Sequence, residues 1–164
     1  MNKQWSLIVY TVEAALVIAF DRVTKQWALT HSALATTYNP HPTCISFDLV
    51  YNRGISWGLF HRPECSTFLL VNGVVITITA LVALHALVWF RAQRSIFGHV
   101  LIIAGSISNI MDRYWYGGVI DFIHLHYQEW SWAIFNIADV AIVVGALLIA
   151  LSTLREEKND STLV

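Results

Sequence analysis

The sequence predicts a membrane α-helical fold, in which four transmembrane helices form a bundle and a small extracytoplasmic β-sheet lies between the first two. Only 13% of the 164 residues are charged, against about 25% in soluble domains. Hydrophobic residues make up 56% of the chain and the mean hydropathy is +0.55. Four long stretches are nearly free of charge, and one segment between them alternates apolar and polar residues. This composition argues against a free cytosolic enzyme and against a disordered chain.

The four charge-poor stretches predict transmembrane spans at about residues 4–21, 67–90, 95–113 and 133–154, with outer segments at about 22–66 and 114–132. A bilayer core about 30 Å thick needs about 20 helical residues. The second and fourth stretches meet that length alone, and the first and third need the bundle to shelter their polar residues. We therefore treat residues 1–164 as a single integral-membrane domain. A cleaved signal peptide is the alternative for the first stretch, although Glu13 interrupts its apolar core and has no explanation of its own.

An even number of spans places both termini on one side of the membrane. The short loop Arg91–Arg94 is basic and lies on that same side, which favours cytoplasmic termini. The chain has 10 basic residues in all, those outside this loop are scattered, and the net charge is −1. Because nucleic-acid binding needs clustered cations, we expect no nucleic-acid partner.

The outer segments contain patterns typical of strands. Residues 44–51 alternate in polarity, residues 52–54 form a turn signal, and residues 55–60 could return as a second strand. Residues 119–127 are predicted to be an extended strand. In that conformation Asp121 is the only charge on an otherwise apolar face. Cys44 and Cys65 fall in the same outer segment, where either a disulfide or two free thiols would fit.

Two carboxylates are the candidate reactive groups. An ionisable side chain at membrane depth costs about 2.5–3.5 kcal/mol, so Asp139 in the fourth span is a functional candidate by default. Asn136 lies on the same helix face, and Asp121 is expected at the same membrane boundary. Two carboxylates in one poorly hydrated pocket share a proton, which supplies the acid and the base that a water-activating peptidase needs.

The sequence also allows other roles for these residues. Asp139 could cap a helix contact or pair with an arginine, and Asp121 could be a surface carboxylate. Intramembrane aspartates also serve as proton relays, so a small proton-coupled transporter is the alternative function. Asp21 and Lys25 could form only a helix-end ion pair.

Other catalytic chemistries find less support in the sequence. No Ser or Cys nucleophile has an obvious base partner, and no His-x-x-x-His pair marks a zinc site. His124 and His126 share one strand face and could bind a metal, but they lack a clear third ligand.

Five motifs occur in an order that resembles the bacterial lipoprotein signal peptidases, the signal peptidase II family of membrane aspartic peptidases. The resemblance covers nearly the whole chain. Residues 21–25 (DRVTK) resemble the family's D-x-x-[ST]-K motif, and 52–57 (NRGISW) its N-x-G-x-[AS]-F motif. Residues 105–113 resemble G-x-x-x-N-x-x-D-R, residues 119–122 resemble V-V-D-F, and residues 135–139 resemble F-N-x-A-D. Ala104, Ser108, Ile55 and Trp57 depart from the family pattern without removing a polar position.

The resemblance implies an endopeptidase that removes the signal peptide from diacylglyceryl-modified prolipoproteins, cutting just before the lipidated cysteine. It implies Asp121 and Asp139 as the catalytic dyad and no metal or organic cofactor. It also implies a monomer in the bacterial inner membrane, surrounded by lipid, with its active site at the periplasmic face. The resemblance also implies substrate-binding or supporting roles for ten further residues, which are Asp21, Lys25, Asn52, Gly54, Gly105, Asn109, Asp112, Arg113, Asn136 and Ala138.

Overall fold

The computed structural model describes residues 3–35, 44–54, 65–128 and 130–161, with the backbone alone described at 32–35, 65 and 156–161. Four helices and three strands follow one another in the chain. They are α1 (Lys3–Ala35), β1 (Ile45–Asn52), α2 (Cys65–Arg91), α3 (Phe97–Tyr116), β2 (Val119–Tyr127), β3 (Trp130–Ser131) and α4 (Ile137–Ser161). The predicted second strand at 55–60 lies outside the described residues.

The first helix is longer than predicted. We expected it to end near residue 21, but α1 continues to Ala35. Residues 22–35 contain neither Gly nor Pro, and the charges on Arg22 and Lys25 are neutralised by partners on α3, so nothing breaks the helix there. With 33 residues, α1 is about 50 Å long at 1.5 Å per residue. It therefore exceeds the thickness of a bilayer core.

Helix α3 lies at the centre of the bundle and packs on α1, α2 and α4. Its contact with α4 is close because glycines face backbone there. A Cβ on Gly105 would lie 2.6 Å from the Ala138 carbonyl oxygen, and a Cβ on Gly98 would lie 2.6 Å from that of Gly145. Helix α3 ends at Gly117, whose φ of 69° is the left-handed conformation that suits a glycine C-cap.

The apolar surface of the bundle faces outward. Within the described residues, two helical stretches are long and apolar enough to cross a membrane, 66–91 in α2 and 137–155 in α4, and both expose most of their length. Apolar helices that are exposed along most of their length are costly in water and favourable in lipid. The predicted second and fourth spans agree with these two helices.

The sheet has the order β1-β2-β3 and is antiparallel throughout. The sequence correctly predicted strands at about 44–51 and at 119–127. The expected pairing of the first strand with residues 55–60 lies outside the described residues. The structure adds a pairing that the sequence did not predict, of β1 with β2, which follows α3. Non-local pairing of this kind depends on the helix packing that brings the two segments together. The register shifts between Phe47 and Val50, which marks a β-bulge in β1.

The fourth helix begins later than the predicted span. Residues 130–131 form β3, and residues 132–135 continue beside β2, where Phe135 bridges to Ile123. This segment forms backbone hydrogen bonds with β2, since the Trp132 amide donates to the Leu125 carbonyl at 2.8 Å. Helix α4 therefore starts at Ile137, beside the buried first half of β2.

Candidate active site

Asp139 lies in the first turn of α4 and closes a reciprocal cap with Asn136. The Asp139 amide donates to Asn136 Oδ1 at 2.9 Å, and the Asn136 amide donates to Asp139 Oδ2 at 3.1 Å. This is the geometry of a capping box, with Asn at the N-cap and Asp at the third helical position. Asp139 therefore does have a capping role at the start of α4, in addition to its place beside Asp121. The helix N-terminus also favours a negative charge at this position.

Asp121 lies in the buried half of β2, where only 2% of the residue is exposed. The reading of it as a surface carboxylate is wrong. The sequence predicted Asp121 on an otherwise apolar face of β2, and the structure adds that Ile120 and Phe122 on the other face are buried as well. The Phe122 and Ile123 amides both donate to the Phe135 carbonyl, at 3.1 and 2.9 Å, which holds the chain before α4 against the strand that carries Asp121.

Asn136 joins the two carboxylates. Its Nδ2 donates to Asp121 Oδ1 at 2.6 Å, while its backbone amide and side-chain oxygen engage Asp139. Asn109 on α3 supports the same group, because its Nδ2 donates to Asp139 Oδ1 at 2.8 Å and its Oδ1 accepts from Asn136 at 3.3 Å. The two acidic residues, 18 positions apart in the chain, therefore meet in one hydrogen-bonded cluster.

A loop after β1 closes the side of Asp121 opposite to Asn136. Asn52 Nδ2 donates to Asp121 Oδ2 at 3.1 Å, and Asn52 Oδ1 accepts from the Gly54 amide at 3.0 Å. The Gly54 carbonyl accepts from Arg113 at 2.7 Å. Arg113 is 8% exposed, and its Nε has no hydrogen-bond partner within the described part of the chain.

A buried ionic cluster underlies the dyad. Lys25 Nζ lies 2.8 Å from Asp21 Oδ2 and 2.7 Å from Asp112 Oδ2, and all three side chains are at most 1% exposed. The Ala138 amide at the start of α4 donates to Asp21 Oδ1 at 2.9 Å. Asp21 and Lys25 do form an ion pair, but it is more than a helix-end pair, because Lys25 also pairs with Asp112 and the pair lies within α1, which continues to Ala35. Their pairing anchors α4 to α1 at the turn that carries Asp139.

Two members of this cluster were missed by the sequence analysis. Arg22 donates to Asp112 Oδ1 at 2.6 Å and to Asp21 Oδ2 at 3.1 Å, and Ser108 donates to Asp21 Oδ2 at 2.7 Å. Arg22 also donates to the Ser108 hydroxyl at 3.0 Å. The available signal was the polar Ser108 directly before Asn109 in an apolar helix, where a hydroxyl needs a partner.

All of the candidate residues from the sequence come together in this region. Gly105 contributes by its lack of a side chain, which lets α3 approach the Ala138 backbone. A cavity of about 460 Å³ opens beside the dyad. Its polar lining residues are Asn52, Ser106, Asn109, Arg113, Asp121 and Asp139, and its apolar lining residues are Val75, Val119, Leu125, Trp132, Ala133, Ile134, Phe135, Val140, Ile142, Val143 and Val144.

Burial and a neighbouring charge set the protonation of Asp121. Desolvation of the carboxyl and then the nearby Asp139 raise the pKa of Asp121 to about 7, against the partial opposition of hydrogen bonds from Asn52 and Asn136. Near neutral pH the pair can therefore hold one proton and one negative charge, the state suited to acid and base catalysis.

The described residues also bear on metal binding, a disulfide and serine chemistry. No cluster of three or more His, Cys, Asp or Glu side chains suited to a metal ion occurs among the described residues. Cys44 is an exposed free cysteine, and the Cys65 side chain lies outside the described residues. No Ser or Cys has an obvious base partner in the sequence, but in the structure Ser131 Oγ lies 2.6 Å from His124 Nε2.

Fold and site together define a helical protein, with apolar helices suited to a membrane, that gathers two aspartates and their amide partners beside an open cavity. The sequence matches the family described as Signal peptidase (SPase) II over residues 13–155. The chain belongs to this family.

Individual relatives agree with the family assignment. A lipoprotein signal peptidase of Solibacter usitatus (strain Ellin6076) is 37% identical over 153 residues, covering 88% of this chain and 90% of the relative. One of Methylorubrum extorquens (strain PA1) is 38% identical over 144 residues, covering 84% and 81%. A bacterial membrane enzyme solved by the in meso method at 2.3 Å resolution superposes with a TM-score of 0.71 at 27% identity, covering 92% of this chain and 90% of that one.

Proposed function

We propose that this protein is a lipoprotein signal peptidase that works as a membrane aspartic endopeptidase. Its substrates are diacylglyceryl-modified prolipoproteins, and it cuts just before the lipidated cysteine. One observation carries the catalytic assignment: the Asn136 side chain and backbone bind Asp121 and Asp139 at the same time, at 2.6 and 3.1 Å. The proposal assigns these two aspartates as the catalytic residues.

The dyad activates water and the scissile carbonyl together. One carboxylate takes a proton from water as it attacks the carbonyl carbon, and the protonated partner donates to the carbonyl oxygen. The resulting tetrahedral group then collapses, the C–N bond breaks, and a carboxyl returns a proton to the leaving amine. The raised pKa of Asp121, about 7, keeps the required proton in the site at neutral pH.

The remaining site residues bind or position. Arg113 and Asn52 line the cavity, and Arg113 Nε, which has no hydrogen-bond partner among the described residues, can donate to a substrate carbonyl. Asn109 and Asn136 orient the dyad through the hydrogen bonds described above. The buried Asp21, Lys25 and Asp112 hold the backbone at Ala138 in place. Gly54 connects Asn52 to Arg113 through its backbone, and Gly105 allows the α3–α4 contact.

The position of the site suits a substrate that cannot leave the bilayer. The cavity joins the polar dyad to apolar residues of α2 and α4, such as Val75 and Val143, which lie on the helices long and apolar enough to span a membrane. A lipid-anchored peptide can present its scissile bond at this depth while its acyl chains stay in lipid.

We assign all four helices to the inner membrane, with both termini cytoplasmic and the dyad at the periplasmic face. Exposed tryptophans lie near the N-terminus of α1, at Trp5, and at the end of α3 and in or directly after β3, at Trp115, Trp130 and Trp132. Tryptophan is enriched at the two membrane interfaces, which supports this placement. The protein acts as a monomer, since one chain supplies every polar group of the described site.

The test is cleavage of a lipidated precursor by the purified protein, read by mass spectrometry. We expect Asp121→Asn and Asp139→Asn to remain folded and to leave the precursor uncut. Ser95→Ala, a change at an exposed position beyond the site, should cut at the normal rate and serves as the control. Normal cleavage by either aspartate variant would remove that carboxylate from the mechanism.

A further inference from the structure

A hydrogen-bonded Asp–His–Ser chain crosses the sheet away from the dyad. Asp48 Oδ2 lies 2.7 Å from His124 Nδ1, and His124 Nε2 lies 2.6 Å from Ser131 Oγ. In this order the carboxylate engages one ring nitrogen and the hydroxyl engages the other. The same arrangement of nucleophile, base and orienting acid activates serine in hydrolases on unrelated folds, where it is recognised by geometry.

Each member comes from a different strand, so the sheet itself assembles the chain. The bulge between Phe47 and Val50 lies where β1 presents Asp48 to β2, and bulges re-aim side chains in this way. Ser131 in β3 pairs with His126, so its side chain lies diagonally across from His124. A second hydroxyl, Ser46, donates to Asp48 Oδ2 at 2.8 Å and helps to fix the carboxylate.

This cluster is separate from the aspartate dyad. Side chains alternate along a strand, so His124 points to the face of β2 opposite to Asp121. Ser131 is exposed, and the His124 and Asp48 side chains are 23% and 40% exposed. A substrate in solution or at the membrane surface can reach the Ser131 hydroxyl without entering the cavity.

We propose that Asp48, His124 and Ser131 form a second catalytic site, which hydrolyses carboxylic esters by a serine mechanism. Ser131 Oγ attacks the ester carbonyl and passes its proton to His124 Nε2. The ester C–O bond breaks, and the leaving alkoxide takes the proton from His124. Water then attacks the acyl-serine with His124 as the base, which releases the carboxylic acid and restores the Ser131 hydroxyl. Asp48 orients the His124 ring and stabilises it while it is protonated.

The turnover should be slow, because the backbone next to the nucleophile offers little to the developing oxyanion. The Trp132 amide is already donated to the Leu125 carbonyl, and loss of one oxyanion donor costs about 10²–10³ in kcat in a dedicated hydrolase. Covalent capture of the serine is therefore a more sensitive readout than ester turnover.

The experiment treats the purified full-length protein, in detergent, with a fluorophosphonate probe. The reaction forms an Oγ–P bond and expels fluoride, and peptide mass mapping locates the adduct. We expect a single adduct on Ser131 and a release of nitrophenol from a short-chain nitrophenyl ester that the probe blocks. Ser131→Ala should lose the adduct, and His124→Gln should slow its formation at least tenfold.

Three comparisons separate this site from the rest of the molecule. Ser95→Ala removes another exposed serine and should label like the unchanged protein. Asp139→Asn should also label normally, although we expect it to leave the lipidated precursor uncut. Ser131→Ala should still cut that precursor, which shows that it folds. Labelling at another residue, equal labelling of Ser131→Ala, or no labelling where a known serine hydrolase reacts to completion would overturn the proposal.

Discussion

Lys25 determines which end of the Asn109 side chain faces Asp139. Its ammonium group donates to Asn109 Oδ1 at 2.8 Å, and because an ammonium has no acceptor, the oxygen of the amide must point toward it. The Nδ2 end is then left to donate to Asp139 Oδ1 at 2.8 Å. A buried cation on α1 thus orients a neutral amide on α3, and that amide in turn orients a carboxylate on α4.

Loss of Lys25 should therefore damage both stability and rate. We expect Lys25→Met to lower the free energy of unfolding by about 3–5 kcal/mol, because two buried carboxylates lose their cation. Precursor cleavage should fall at least tenfold because Asn109 is no longer held. Thermal unfolding and single-turnover cleavage in detergent measure the two effects.

Arg22→Met is the matched comparison for that variant. The Arg22 side chain is 23% exposed and contacts the same two aspartates, which would keep Lys25 as a partner. We expect a loss of about 1–2 kcal/mol. Equal losses in the two variants would show that Lys25 has no special role in the cluster.

Gly105→Ala should be strongly disruptive although it adds one methyl group. The new Cβ would lie 2.6 Å from the Ala138 carbonyl oxygen and 3.0 Å from Ile142 Cγ1, so the start of α4 must move. We expect a loss of about 1–3 kcal/mol in stability and at least a tenfold slower cleavage, because Asp139 moves with the helix. Gly73→Ala, with nothing within 4 Å of its Cβ, is the control and should be neutral or slightly stabilising. A harmless Gly105→Ala would contradict the close α3–α4 contact.

Cleavage should have a bell-shaped dependence on pH. Below the lower apparent pKa both carboxyls carry protons and no base remains, and above the upper one the shared proton is lost. Since burial and Asp139 raise the pKa of Asp121 to about 7, the alkaline decline should begin near neutrality. Initial rates of precursor cleavage from about pH 4 to 9 measure this, and a constant rate across that range would contradict a shared proton.

The same pKa shift predicts how stability depends on pH. The pKa of Asp121 is higher in the folded protein, about 7, than its ordinary value of 3.8, so the folded state holds the proton more tightly. Its contribution is therefore favourable at low pH and is lost as the pH rises toward 7. We expect the Tm of Asp121→Asn, relative to the unchanged protein, to increase between pH 5 and 8. A Tm difference that stays constant over this range would show that Asp121 titrates normally.

Chelation should leave cleavage intact. Each carboxylate oxygen of the dyad already accepts an N–H, from Asn136 and Asn52 on Asp121 and from Asn109 and Asn136 on Asp139. Amide hydrogens aimed at these oxygens repel a cation. The measurement is the rate of precursor cleavage after dialysis against EDTA, and loss of activity with rescue by zinc would contradict it.

Local patterns predicted most of the elements. The period of two between residues 119 and 127 predicted β2 with the bounds it has. Charge-free runs placed both ends of α2 to within two residues, whereas α4 begins four residues and ends seven residues later than predicted. The sequence was least informative where the deciding interaction was distant in the chain. Helix α1 was predicted to end too early, and it runs past Arg22 because its charges pair with α3. The pairing of β1 with β2 was not predicted, because it depends on the helices that bring the two strands together.

The sequence by itself determined the apolar helices, the order of the five motifs and the identity of the polar residues at membrane depth, since hydrophobicity and spacing are properties of the chain. Only the tertiary structure decided that Asn136 would bind both aspartates, that Lys25 would sit between two buried carboxylates, and that Ser131 would reach His124. Contacts of this kind depend on distances between side chains from different elements. Packing sets those distances, and no local pattern encodes them.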